Sequence, residues 1–159
     1  MIPTRVLLFS MAGALLLAQT PVATKGKMTV AGQSATLSHA YAFTRPGPPP
    51  HDEIVLVLSD VETPADARRN LEALDELAKA GKIHFVRLTW IVGQTDVFEY
   101  KLGHNAAKEM PNSTTNMHSF EGKLGPVVVA GKVSSNGPQE SMAGVKYEYS
   151  CQFSTKLLH

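Results

Sequence analysis

Residues 145–155 (VKYEYSCQFST) alternate with a period of two from end to end. Val145, Tyr147, Tyr149, Cys151 and Phe153 fall on one side, and Lys146, Glu148, Ser150, Gln152 and Ser154 on the other. A helix would scatter these apolar side chains around its circumference, whereas a strand gathers them on one face. The segment therefore requires a sheet with one dry and one wet face, and the rest of the chain must supply its neighbours.

Other stretches supply them. ATLSHAYAFT (35–44) is expected to set Leu37, His39, Tyr41 and Phe43 on one face against Ala40 and Ala42, with MTV (28–30) as a short partner across the Gly32 turn. RPGPPP (45–50) interrupts with four prolines, which cannot donate to a ladder, and so reads as an exposed connection. EIVLVLSD (53–60) is continuously apolar, the pattern of a central strand covered on both faces. HFVRLTWI (84–91) and VFEYKLG (97–103) read as a hairpin across VGQTD, and MHSFEGKL (117–124) with VVVAGKVSS (127–135) as another around Gly125-Pro126. Segments 104–116 and 136–144 read as loops.

One helix is marked between strands. Thr63 is a suitable N-cap, Pro64 suits the first helical position and Gly81 a left-handed C-cap, predicting a helix over about residues 64–80. Leu71, Leu74 and Leu77 form its apolar stripe, and Arg68, Glu72, Asp75 and Lys79 its wet side. The pattern predicts a mainly β (α+β) fold: an antiparallel sandwich or partly closed barrel of about 7–8 strands with one covering helix.

The N-terminus reads differently. Arg5 precedes an apolar run, VLLFSMAGALLL (6–17), and small residues follow, the layout of a secretory signal peptide over residues 1–23 with cleavage after Ala18 or Ala23. The run is shorter than the roughly 20 residues of a membrane span. The rest, residues 24–159, has the length of one domain, and processing leaves a chain expected not to be an integral membrane protein. Loss of Arg5 leaves fourteen basic residues against fourteen acidic ones, without the basic surplus of a nucleic-acid binder. A single cysteine, Cys151, rules out an internal disulfide and reads as a small buried hydrophobe.

Candidate chemistry is sparse. No nucleophile elbow, glycine-rich phosphate loop or zinc-protease motif occurs, so no catalytic constellation and no cofactor is expected. His39, His84 and His118 lie on apolar strand faces and are the candidate metal ligands if their strands converge; otherwise each is a hydrogen-bonded core or edge histidine. His104 falls where a strand enters a loop. Asp60, Glu62 and Asp66 bracket the expected helix start in an order that matches no calcium loop. Tyr41, Trp90, Tyr147 and Tyr149 are the candidates to line a pocket for a small apolar ligand, or equally to fill the core.

HAYAF (39–43), IVLVLSD (54–60), GKIHFVRL (81–88), SFEGK (119–123), SNGPQE (135–140) and VKYEY (145–149) together resemble a group of exported bacterial proteins of small β-rich fold and unassigned function. The resemblance implies a periplasmic or secreted setting and carries no activity, cofactor or site residue. The reading is an exported, non-catalytic domain that binds or inhibits a partner in the bacterial envelope. The alternative is a carrier of a small apolar ligand or a metal on the aromatic and histidine strand faces.

Overall fold

A computed structural model of the chain describes residues 22–114 and 118–159. The leader expected over residues 1–23 lies, apart from Val22 and Ala23, outside the described residues. The described chain is mainly β, an eleven-stranded sheet curled into a half-barrel with one helix on its outside. In order along the chain the strands are β1 (Lys25–Val30), β2 (Gln33–Leu37), β3 (His39–Pro46) and β4 (Asp52–Ser59). The helix α1 (Leu71–Lys79) comes next, and β5 (Phe85–Ile91), β6 (Glu99–Gly103) and the two-residue β7 (Asn112–Ser113) follow it. The chain continues through β8 (Ser119–Leu124), β9 (Val128–Ser134), the two-residue β10 (Gln139–Glu140) and β11 (Lys146–Leu158).

The alternating segment 145–155 forms most of the organising strand, β11. β11 pairs with β1 along Tyr147–Gln152 and with β9 along its other edge. Its end, Leu157 and Leu158, runs parallel to Ala42 and Phe43 of β3 and so joins the β1–β2 and β8–β9 hairpins to the antiparallel run β3-β4-β5-β6-β7. Tyr147, Tyr149, Cys151 and Phe153 are buried while Lys146, Glu148, Ser150 and Gln152 are exposed, as the alternation requires. The hairpins expected at 84–103 and 117–135 form in register.

Two cores lie on opposite faces of β3–β5. The inner one fills the half-barrel: Ile54, Leu56, Leu58, Val86, Leu88 and Trp90 meet Met28, Val30, Tyr149 and Phe153 from the other side. On the outside, Phe43, Val55, Val57 and Phe85 are covered by Leu74, Ala78 and Ile83. β4, buried on both sides, accounts for the continuous apolar run.

Two expectations need correction. The helix begins at Leu71, and residues 64–70 form turns instead. Asn70 is the cap, its side chain accepting from Ala73 N–H at 3.1 Å. A helix starting at Thr63 would need its carbonyl for the backbone of Ala67. That N–H bonds Pro64 O at 2.9 Å, and Arg68 Nε donates to Thr63 O at 3.2 Å. The C-terminal signal holds: Gly81 (φ +69°) bonds Ala78 O and Lys82 N–H bonds Leu77 O, a Schellman cap. Leu74 is fully buried; Leu71 and Leu77 are half-buried.

The second correction concerns residues 35–44. The chain breaks between β2 and β3 at Ser38, whose N–H donates to Ser59 O at 2.9 Å. The two-residue count restarts there. Leu37 therefore joins the inner core with Ala42, while Tyr41 and Phe43 face the helix side.

Candidate functional site

Three places gather the residues that the sequence singled out. Inside the half-barrel, Tyr100 of β6, Tyr147 and Tyr149 of β11 and His118, just ahead of β8, form a polar knot in an apolar core. Tyr147 Oη donates to Tyr100 Oη at 2.8 Å, and His118 Nδ1 lies 2.6 Å from Tyr149 Oη. The His118 ring lies against Tyr100 with centroids 4.0 Å apart and planes tilted by 42°. Burial pushes His118 down to about 4 and the Tyr147 and Tyr149 phenols well up, so all three are uncharged at neutral pH. Among the described residues His118 Nε2 and Trp90 Nε1 are buried without a hydrogen-bond partner. Trp90 packs edge-on against Phe120 at 5.1 Å. Three of the four proposed ligand-lining residues, Trp90, Tyr147 and Tyr149, thus belong to the same inner core.

The second place is one end of the half-barrel. Leu58, Val86 and Leu102 are register partners on adjacent strands. Two residues further toward that end stand Asp60, His84 and His104. Asp60 accepts from His84 N–H at 2.7 Å, and its other oxygen lies 2.7 Å from His84 Nδ1. Asn105 Oδ1 is 3.2 Å from His84 Nε2, and the His104 ring lies over His84 at 4.1 Å. His104 Nδ1 accepts from Ala106 N–H at 3.0 Å, which leaves the ring proton on the buried Nε2. Desolvation first, and the neighbouring His84 second, lower the His104 pKa. Sequence reasoning missed this pairing because it assigned Asp60 to the helix start. The signal that finds it is parity: Asp60, His84 and His104 each continue an inward row by one step.

The third place is a groove of about 260 Å³ on the outside, between the start of β3, the strap 60–70 and the end of β11. His39, Tyr41, Glu62, Thr63, Arg68 and Lys156 line it. The Tyr41 and Thr63 hydroxyls are both buried here. The Thr63 side chain lies within hydrogen-bonding reach of the Tyr41 phenol and slightly favours its ionised form. Burial dominates, pushing Tyr41 up to about 12 against the opposing pull of Thr63, Arg68 and Arg87. Arg68 is held over the groove by Glu62 Oε1 at 2.7 Å and by Thr63 O. Glu62 is the one acid among the described lining residues, and it is already paired.

The three candidate metal ligands are therefore not brought together: His39 lines the outer groove, His84 bonds Asp60 and His118 lies in the inner core. Among the described residues no group of three His, Cys, Asp or Glu side chains converges to hold a metal ion, and no helix is long and apolar enough to cross a membrane. Comparison with protein-family models, with curated proteins and with solved structures finds no match for the chain.

Proposed function

We propose that this chain is an exported, non-catalytic domain of the bacterial envelope, periplasmic or secreted. It binds or inhibits a protein partner by taking an acidic side chain of that partner into the groove bounded by His39, Tyr41, Arg68 and Lys156. One observation carries this reading: two cations, Arg68 and Lys156, line the groove against a single acid, Glu62, so its lining is net positive. The exposed Lys156 ammonium and the half-exposed Arg68 guanidinium are the donors that a partner's carboxylate would meet there. Export draws its support from the charge-then-apolar order of residues 5–17 and from the resemblance to exported bacterial proteins. Carriage of an apolar ligand in the interior would have to separate aromatic rings already in contact, such as Trp90 and Phe120.

A photo-crosslinking residue placed at His39 in cells making the full chain should capture one discrete protein. The same residue at Gln94, exposed in the turn at the opposite end of β5 from His84, should not. Replacing Arg68 and Lys156 together by Glu should abolish the capture. Equal capture from both positions, or capture that survives the charge reversal, contradicts the groove as the contact.

A further inference from the structure

Strand β8 leaves one edge open. Among the described residues it pairs with β9 alone, and Glu121, Gly122 and Lys123 at its centre are exposed. Which backbone groups face outward follows from the ladder. Gly125 N–H donates to Val128 O at 3.0 Å, so the pairs in which β8 and β9 exchange hydrogen bonds are those of Lys123, Glu121 and Ser119. The N–H and C=O groups of Phe120, Gly122 and Leu124 therefore point away from β9. The side chains alternate accordingly. Phe120 and Leu124 pack toward the inner core and Glu121 and Lys123 face solvent.

We propose that β8 is a dimerisation edge, and that its partner is a second copy of this chain, paired antiparallel about a two-fold axis through Gly122. The sequence of the edge is self-complementary in that register and in no other. With Gly122 opposite Gly122 of the second copy, Glu121 faces Lys123 across the axis, and Lys123 faces Glu121. Phe120 faces Leu124 on the core side. The pairs at Phe120, Gly122 and Leu124 are the ones with outward backbone groups, so each becomes a hydrogen-bonded pair. The charged pairs become the closer, non-hydrogen-bonded ones, where cross-strand side chains interact most directly. A parallel, in-register pairing would set Glu121 against Glu121 and Lys123 against Lys123.

The protective reading of a charged edge fits less well. Edges that avoid pairing rely on charges that repel in any approach of like strands, above all lysines. Here two opposite charges lie two residues apart, an arrangement that attracts in the antiparallel dyad. Gly122 at the axis is required by its own hairpin: a Cβ there would collide with the Ala130 carbonyl, and the Phe120 ring already lies over it. The bare glycine also keeps side chains away from the centre of the new ladder. The other edge of this length, β2 (Gln33–Leu37), carries no charge that would set a register.

The test is the mass of the processed protein across a wide concentration range by sedimentation, with three chains compared. The wild type should shift from monomer to dimer as concentration rises. Lys123→Glu turns both cross-axis attractions into repulsions and should weaken dimerisation by about tenfold or more. Lys123 faces Ala130 within its own hairpin, so this change removes no internal charge pair. The double exchange E121K/K123E rebuilds the cross-axis pairs in reverse and should restore the dimer. Its melting temperature, measured alongside, verifies folding, because Lys at 121 would face Lys132 internally. A wild type that stays monomeric at every concentration overturns the proposal. So does a Lys123→Glu chain that dimerises like the wild type, or a folded double exchange that stays monomeric.

Discussion

At the scale of single residues, burial fixes the chemistry that this fold leaves available. Cys151 sits opposite Gly26 in the β1–β11 register, and a Cβ at Gly26 would come within 2.6 Å of its sulfur. Burial pushes the thiol up to about 12, so it is packing material at neutral pH. His118 and His104 behave likewise, both held below the ordinary 6.5 by desolvation and therefore neutral in the folded protein. The unfolded chain takes up protons on these rings first as pH falls. Stability contributed by their neutral burial is thus complete above about 6.5 and is lost as pH drops through the folded value, about 4 for His118. The melting temperature should fall over that window, and His118→Gln should flatten the fall. A His118→Gln chain with an unchanged slope would show that His118 is not buried neutral. Alternation in the sequence was enough to bury Tyr147, Tyr149 and Cys151 correctly. It did not reveal that Tyr149 meets His118, because that contact joins residues 31 positions apart.

Elements show where local signals decide and where they compete. The Gly81 cap was legible because a single glycine stands at the end of the apolar stripe. The start was not, because Thr63-Pro64 and Asn70 both offer caps and the choice is made elsewhere. Arg68 takes the Thr63 carbonyl and the strap 60–70 lies over Tyr41, so the helix starts at the second cap. Asn70→Ala should accordingly cost about 1 kcal/mol in a denaturant titration, and Leu74→Ala about 2–5 kcal/mol for the cavity it leaves. An Asn70→Ala chain as stable as the wild type would return the cap to Thr63. The Ser38 break was hidden for a similar reason: nothing local distinguishes a strand that continues from one that steps to a new partner, here β4 through Ser59.

The whole molecule joins a filled half-barrel to an outer groove, with the pairing edge at β8 as a separate surface. The mainly antiparallel fold and its covering helix were legible because alternation, turn residues and one amphipathic stripe agree. The groove was not, because it is assembled from β3, the strap and the end of β11, segments far apart in the sequence that meet through the parallel contact of Leu157 and Leu158 with β3 and through hydrogen bonds such as Thr155 Oγ1 to Ala40 O and Arg69 Nη2 to His159 O. If residues 1–23 are a leader, the mature protein should begin at or near Gln19 or Thr24 by N-terminal sequencing; recovery of intact Met1 from the envelope fraction would contradict export by cleavage. The central claim is that the domain works by holding a protein partner at the groove. Native mass spectrometry of the protein purified from its own envelope tests it most directly. The account predicts a stoichiometric protein complex with the wild type, lost when Arg68 and Lys156 are both changed to Glu. A wild-type protein that carries a metal ion or a small apolar molecule instead, unchanged by that charge reversal, would contradict it.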